Sequence, residues 1–318
     1  MEQAVVASFA KDLKFEGFLL VRSAEQRASA NGSKYLDMTL CDRTGDINAK
    51  MWDGTVQPPV AGSIVKVRAT GNEFNGRMQL RVEKIRAAEK KDEVDMSTLI
   101  PCAPHDPKKM LEDVVRAADR IADKDLRLIT CALLDRAGDK LLTFPAAKQM
   151  HHAERSGLLH HMTTMLRAAN AIMTVYPQLN PSLLTAGVIV HDLAKIDEMD
   201  ADAVGLVSDY SIDGKLLGHI VRGVVNIQSA AEKTGASRAK ALLLQHMVLS
   251  HHGIPEYGSP MAPKFPEAEV LNMIDTLDAR LYEMDEALSR AIPGGFSEKV
   301  WGLDNRQLYR IPDEQLTK

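Results

Sequence analysis

The spacing of apolar residues changes once along this chain of 318 residues, and the change limits which folds are open to it. Residues 12–87 carry apolar runs or alternations of strand length, separated by turn sequences such as Thr44-Gly45-Asp46 and Asp53-Gly54. The strands are predicted at Phe15–Val21, Tyr35–Leu40, Ile47–Trp52, Ile64–Ala69 and Met78–Ile85. About five short strands within some 75 residues are typical of the five-stranded oligonucleotide-binding (OB) barrel.

Beyond residue 104 the spacing becomes helical. Residues 91–104 begin with charged side chains and contain Pro101 and Pro104, which predicts a linker. Apolar residues then recur every three or four positions, as on a helix face. Helices are expected at Lys108–Ala122, Asp125–Asp135, Ser182 through Asp192, Lys215–Lys233, Ser237–His252 and Pro266–Arg290. The sequence therefore predicts a multidomain α and β protein, with a small all-β barrel at 1–90 and an all-α domain at 105–318.

The composition is that of a soluble globular protein, with 45% hydrophobic and 26% charged residues. No apolar stretch approaches the ~20 residues that a membrane span needs. The N-terminus also lacks the basic and then apolar pattern of a secretory signal. Cys41, Cys102 and Cys131 lie far apart and form no C-x-x-C pair, which is typical of a reducing compartment. We therefore expect a cytoplasmic protein without a membrane partner.

Histidines and carboxylates recur through the second half in an order typical of a metal centre. The candidates fall on separate predicted helices, and a helical bundle can point such side chains at one interior site. They are His161, His191, Asp192, His219, His251, His252 and Asp275. The Asp192 carboxylate has two oxygens and can bridge two ions, as two-metal phosphodiester cleavage requires. Imidazole and carboxylate ligands without thiolate favour Mn, Fe, Co, Ni or Zn over Mg.

The order of these motifs resembles the HD superfamily of metal-dependent phosphohydrolases, and more closely the YhaM-type 3′-to-5′ exoribonucleases. The resemblance covers roughly residues 12–312, and the histidine series is its specific part. The motifs are Gly157-Leu158-Leu159-His160-His161, His191-Asp192-Leu193-Ala194-Lys195, Leu217-Gly218-His219, Ser250-His251-His252-Gly253 and Ile274-Asp275-Thr276-Leu277-Asp278. That family also carries an OB barrel in front of its helical HD domain.

The resemblance implies a role for each candidate. One metal would be held by His161, His191, Asp192 and Asp275. Asp192 would bridge to a second metal held by His219, His251 and His252, and Mn²⁺ is the first choice of ion. Lys195 would act beside Asp192 as a catalytic positive charge near the scissile phosphate. The implied substrate is single-stranded RNA, and single-stranded DNA is left open, as is oligomerisation.

The barrel offers a second set of candidates, for binding nucleic acid. Aromatic rings stack on bases, and basic side chains follow the backbone of a single strand. These candidates are Arg22, Lys34, Tyr35, Phe74, Arg77 and Arg81, with Lys50 beside them. The alternative is that the basic residues are ordinary solvated strand positions. Trp52 is expected in the barrel core.

Several residues and two other functions stay open at this stage. His160 is expected to be a surface residue or to support a ligand, His246 to be a buried hydrogen-bonded histidine, and Asp278 to support a ligand or face solvent. His151 and His152 either contact phosphate or pack at a helix start. Gly157 stands where some relatives have a glutamate ligand, which argues against a third metal there. The other functions are a small-nucleotide phosphohydrolase and a non-catalytic nucleic-acid-binding protein with a structural metal.

Overall fold

The computed structural model describes residues 3–29, 32–74, 76–89, 91–148, 152–202 and 204–315. The chain divides into two compact units. The first comprises Met1–Cys102 with Asp202–Val204, and the second comprises Ala103–Ala201 with Gly205–Lys318. An all-β part is followed by a mainly helical part, so the predicted fold class is confirmed.

The first unit is a closed barrel of five strands in the order β1-β2-β3-β5-β4. All neighbouring pairs are antiparallel except β3 and β5, which are parallel. The strands are β1 (Lys14–Ala28), β2 (Lys34–Asp42), β3 (Gly45–Met51), β4 (Ile64–Phe74) and β5 (Arg77–Ala87). Alternate side chains fill the interior, among them Leu19, Leu36, Leu40, Val65 and Leu80. All five predicted strands are present, most of them longer than predicted.

The chain after the barrel packs against it before the helices begin. A short 3₁₀ turn at Met96–Thr98 leads into Leu99 and Ile100, which are buried with Leu20 and Cys41. Asp95 caps this turn by accepting a hydrogen bond from the Ser97 amide. Part of the segment predicted as a linker is therefore held by apolar contacts of the first unit.

The second unit is a bundle of helices around one apolar core. Its helices are α1 (Pro107–Asp119), α2 (Lys124–Ala137), α3 (Gly157–Val175), α4 (Pro181–Val190), α5 (Lys195–Glu198), α6 (Ile212–Thr234), α7 (Arg238–Ser250) and α8 (Pro266–Ser289). A hairpin of β6 (Met199–Ala201) and β7 (Val207–Tyr210) lies between α5 and α6. Helix starts follow sequence signals, since side chains of Asp106, Asp123, Asn180, Ser211 and Ser237 cap the first turns. No helix in the described ranges is long and apolar enough to cross a membrane.

Three local predictions about the helices were wrong. α4 ends at Val190, so His191 and Asp192 begin the turn after it and do not lie within the helix. α7 ends at Ser250, and His251 and His252 likewise follow its last residue. α6 is interrupted at Gly218, whose φ of 69° and ψ of 168° are not helical. Each deviation lies at or beside a candidate ligand.

Candidate functional site

The fold brings all seven predicted metal ligands of the helical unit to one buried place. His161 comes from α3, His219 from α6 and Asp275 from α8. The turns after α4 and α7 supply the other four, His191, Asp192, His251 and His252. His161, His191 and His251 are fully buried, and Asp192 is 2% exposed. Water is thus largely excluded from the polar atoms at the centre of the group.

Asp192 lies at the centre, with a different set of imidazoles around each carboxylate oxygen. Its Oδ2 lies 3.5 Å from His191 Nε2 and 3.8 Å from His161 Nε2. His161 Nε2 is also 3.2 Å from Asp275 Oδ1.

The other oxygen of Asp192, Oδ1, faces the second set. It lies 3.5 Å from His219 Nε2 and 3.6 Å from His251 Nε2. His252 joins these two imidazoles, with ligand atoms of all three within 4.8 Å of one another. Most of these separations are longer than hydrogen bonds and match ligands spaced around a shared cation.

Each of these imidazoles is fixed through its Nδ1 atom. His191 Nδ1 contacts the Val188 carbonyl at 2.8 Å, and His251 Nδ1 contacts the Val248 carbonyl at 2.6 Å. His252 Nδ1 contacts the Tyr257 carbonyl at 2.6 Å. The Nδ1 atoms of His161 and His219 contact carboxylates instead. Asp278 Oδ2 lies 2.7 Å from His161 Nδ1, and Glu198 Oε1 lies 3.0 Å from His219 Nδ1. A carbonyl or carboxylate acceptor places the proton on Nδ1 and leaves Nε2 as the ligand atom, the usual arrangement at metal sites.

Three atoms at the centre provide a test of whether the residues fit a metal. Asp192 Oδ1, His219 Nε2 and His251 Nε2 are buried and have no hydrogen-bond partner among the described residues. A buried unpaired acceptor costs about 1–3 kcal/mol, so three of them converging is unfavourable without a cation. The donor set therefore fits a divalent ion.

The break at Gly218 explains how α6 presents His219. A positive φ is strained for a residue with a side chain, and Gly218 adopts φ 69°. The break frees the His219 amide, which donates to Glu198 Oε1 at 3.0 Å. The same oxygen also contacts the Nδ1 of that imidazole. Glu198 thus fixes both the backbone and the ring of His219. Glu198 was not among the predicted site residues, and the glycine before His219 is the one local sign in the sequence that this backbone breaks.

Lys195 supplies the positive charge nearest to Asp192. Its Nζ lies 2.6 Å from Asp192 Oδ2, and its side chain is 10% exposed. Burial by itself lowers the pKa of Lys195, but the Asp192 carboxylate raises it above the ordinary value. Burial likewise disfavours the charge of Asp192, while Lys195 and the imidazoles hold the pKa of that carboxyl well below its usual range. Both groups are therefore charged at neutral pH.

The buried imidazoles differ in their pKa values. Burial lowers the pKa of His191 and His251, and it lowers that of His252 to about 4. Burial also disfavours the charged form of His161, but Asp275 and Asp278 raise the pKa of His161 to about 9. Neutral imidazole is the form that binds metal. Three of the rings are therefore held in the ligand form at neutral pH.

The remaining histidines of the helical unit lie beside this centre or away from it. His160 is half-buried and contacts Glu154 Oε1 at 2.8 Å, outside the seven predicted ligands. His246 accepts a hydrogen bond from the Lys264 amide at 3.0 Å, but it is only half-buried. His152 is buried and reaches Asp278, whereas His151 lies outside the described residues. A side chain at Gly157 would meet the His152 carbonyl at 2.0 Å, so this position has no room for a glutamate ligand.

The barrel carries a separate surface of aromatic rings around Lys50, which we call the aromatic surface (Tyr35, Lys50, Trp52 and Phe74). Tyr35 and Trp52 stack with ring centroids 4.8 Å apart. Lys50 Nζ lies 5.8 Å from the Tyr35 ring and 5.7 Å from the Phe74 ring. Trp52 is 60% exposed, so its predicted place in the core was wrong. The buried positions of β3 are Ile47, Ala49 and Met51, so the alternation of the strand turns the next residue, Trp52, outward.

The predicted basic residues of the barrel differ in their surroundings. Lys34, Arg77 and Arg81 are exposed. Arg77 also lines an open groove with Lys50 and Phe74. Arg22 instead pairs with Asp46 at 3.2 Å, which offsets part of its charge.

Comparison with known proteins gives a consistent set of similarities. The family model described as the HD domain matches residues 158–280. The chain is 40% identical over 296 residues to the 3′-5′ exoribonuclease YhaM of Geobacillus sp. (strain WCH70), covering 92% of this chain and 90% of that protein. An HD domain implies a divalent metal, in agreement with the donor set around Asp192.

Two solved structures are similar to parts of the chain. The second OB-fold domain of replication protein A from Methanococcus maripaludis is 19% identical, with a TM-score of 0.24. It covers 29% of this chain and 100% of that one. A replication protein A heterotrimer bound to ssDNA is 18% identical with a TM-score of 0.22, over 28% of this chain and 72% of that one.

Proposed function

The chain belongs to the YhaM family of 3′-5′ exoribonucleases, and from that premise we propose that it hydrolyses single-stranded RNA from the 3′ end at the centre around Asp192. The observation that carries the proposal is the convergence of Asp192 Oδ1, His219 Nε2 and His251 Nε2, all buried and unpaired among the described residues. A cation satisfies all three at once, and a divalent ion is what phosphodiester hydrolysis at such a site requires.

The two sets of contacts around Asp192 support two ions. His161, His191, Asp192 and Asp275 would hold the first. Asp192, His219, His251 and His252 would hold the second, with one carboxylate oxygen of Asp192 toward each. Mn²⁺ is the proposed ion, because a set rich in imidazole but without thiolate suits the middle of the first transition row better than Mg²⁺.

The protein's own groups complete the site chemically. Bound divalent ions would supply the polarisation of the phosphate and the activation of water that hydrolysis needs. Lys195 holds a fixed positive charge at the edge of the ligand set, where negative charge grows on the phosphoryl oxygens. The Nδ1 contacts of the imidazoles hold the ligand atoms in place before substrate arrives, so little reorganisation accompanies the reaction.

The barrel provides a reason for a single-stranded substrate. Trp52 and Phe74 offer exposed faces for bases, and Lys50 lies between aromatic rings of the same surface. Stacking contributes about 1–3 kcal/mol per base without selecting its identity. Lys34, Arg77 and Arg81 are proposed to follow the phosphates, with Arg22 contributing less because of Asp46.

The two parts of the chain therefore have separate roles in the proposal. Residues 1–90 bind the strand, and residues 105–318 hydrolyse it. The proposed location is the cytoplasm. An RNA substrate is consistent with it, and so are the three free cysteines, Cys41, Cys102 and Cys131.

A 5′-labelled single-stranded oligoribonucleotide tests the function. With Mn²⁺ we expect a ladder that shortens from the 3′ end, and with chelator no ladder. The double variant His191→Ala, Asp192→Ala is expected to be inactive. The matched control His246→Gln changes a histidine outside the centre and is expected to keep the ladder. An unchanged ladder from the double variant refutes the proposal, and turnover of free nucleotides without a ladder favours a small-nucleotide phosphohydrolase.

A further inference from the structure

A second group of potential ligands lies beside the main centre and is not part of it. We call it the His152 cluster (His152, Glu154 and His160). His152 Nδ1 lies 3.2 Å from His160 Nδ1 and 3.5 Å from Glu154 Oε1. His160 Nδ1 lies 2.8 Å from the same glutamate oxygen. His152 is 2% and Glu154 8% exposed, so three ligand atoms meet in a nearly dry place.

These separations agree with a coordination sphere. Ligands at about 2.0–2.1 Å from a tetrahedral zinc ion lie roughly 3.3–3.4 Å from one another. The three measured separations of the His152 cluster span 2.8–3.5 Å and bracket this value. Two imidazoles and one carboxylate are also a ligand set found at zinc sites, where the fourth position is left to water.

The hydrogen bonds of the cluster leave room for one shared proton between its three ligand atoms. His152 Nε2 lies 2.9 Å from Asp278 Oδ2, so this nitrogen carries the proton and Nδ1 of a neutral ring is an acceptor. His160 Nδ1 lies 2.8 Å from Glu154 Oε1 and 3.2 Å from His152 Nδ1, so one proton on His160 serves both of these acceptors. A divalent cation in place of that proton would bind all three atoms at once.

The local backbone is shaped to bring the three residues together. His152 and Ser156 have φ values of 53° and 64°, in the left-handed region that few residues with side chains adopt. The turn they form packs against Gly157, because a Cβ at this position would collide with the His152 carbonyl. Gly157 therefore lets His152 and Glu154 fold back beside His160, one turn into α3.

We propose that His152, Glu154 and His160 form a separate site for a divalent ion of the zinc class, bound through Nδ1, Oε1 and Nδ1. The site differs from the one excluded at Gly157, because its carboxylate comes from Glu154 in the preceding turn. It does not depend on the proposed reaction, since its ligands are outside the set around Asp192.

The His152 cluster is nevertheless connected to the main centre. Asp278 Oδ2 contacts both His152 Nε2 and, at 2.7 Å, His161 Nδ1. An ion on His152 Nδ1 fixes the proton of that ring on Nε2 and so strengthens its donation to Asp278. Asp278 in turn orients His161, so occupation of the His152 cluster helps to fix one ligand of the main centre.

Anomalous diffraction at the zinc edge, on crystals of the full chain soaked with Zn²⁺, tests the proposal. We expect a peak between His152 Nδ1, Glu154 Oε1 and His160 Nδ1, in addition to density around Asp192. In Glu154→Gln the cluster peak is expected to disappear while the density around Asp192 remains. Zinc counts after dialysis, by mass spectrometry in solution, are expected to fall by one ion per chain in that variant.

The outcomes separate this inference from the proposed function. Density around Asp192 with no peak at the His152 cluster overturns the inference, because the cluster then holds only a proton. A cluster peak that survives in Glu154→Gln also overturns it. A peak at the cluster without density around Asp192 supports the inference and contradicts the metal centre of the proposed function.

Discussion

Removing the Glu198 carboxylate tests whether metal binding needs the fixed direction of the His219 ring, and not only the presence of that histidine. Glu198 Oε1 accepts from the His219 amide and from its Nδ1, both at 3.0 Å. In Glu198→Ala both bonds are lost, and His219 keeps its ligand atom but loses its fixed direction. Loss of such a supporting partner weakens metal binding about 10–100-fold, or about 1.4–2.8 kcal/mol at 1.4 kcal/mol per tenfold.

The assay is the Mn²⁺ concentration that gives half-maximal cleavage of a labelled oligoribonucleotide. We expect this midpoint to rise in Glu198→Ala and the rate to recover largely at saturating Mn²⁺. Glu198→Gln keeps a carbonyl oxygen at the same place and is the matched control, with a midpoint close to that of the natural protein. Thermal unfolding of all three proteins separates this effect from lost folding. If Glu198→Ala and the natural protein have equal midpoints, Glu198 does not orient His219 for metal binding.

Four further predictions follow from the same structure. Gly218→Ala places a side chain at φ 69° and ψ 168°, a region nearly confined to glycine, and is expected to cost roughly 1–3 kcal/mol in the free energy of unfolding. Denaturant titration measures this cost, and an unchanged free energy contradicts the argument from strain. Trp52→Ala is expected to weaken RNA binding by about 1–3 kcal/mol in a fluorescence titration, without changing the rate at saturating RNA. Lys195→Met is expected to lower kcat by about 10²–10³-fold while RNA affinity stays the same. If kcat and RNA affinity fall by the same factor, a role of Lys195 in the reaction is disproved. Burial raises the pKa of Asp197, but Arg136 lowers it by more, so the net pKa lies below the ordinary 3.8. The ion pair therefore stabilises the fold above pH 3.8, and this stabilisation is lost as pH falls through the lowered pKa. The stability deficit of Asp197→Asn is expected to shrink on acidification, as measured by chemical denaturation at several pH values.

Local pattern was enough to predict the barrel. Each strand of the barrel alternates apolar and polar residues between turn sequences, and this signal does not depend on distant contacts. The seven metal candidates were chosen from the order of their motifs, which resembles the HD superfamily, and their role as ligands stays a prediction. His191 and Asp192, at the end of the apolar run of α4, form the most recognisable of these motifs.

Features that depend on contacts across the fold were not predicted. The interruption of α6 at Gly218 exists because Glu198, about twenty residues earlier, captures the freed amide of His219. Trp52 was expected in the core, but it follows the inward-facing Met51 and its ring stacks on Tyr35 instead. The His152 cluster depends on a turn with two left-handed residues, which periodicity does not reveal.

Asp192 is proposed to join two ions in one centre. Electron paramagnetic resonance of the Mn²⁺-loaded protein tests it directly, because two Mn²⁺ ions that share a carboxylate are magnetically coupled. We predict a coupled spectrum in the active natural protein and its loss in Asp192→Asn together with the loss of RNA cleavage. A fully active protein that shows only the spectrum of isolated Mn²⁺ ions would contradict the claim.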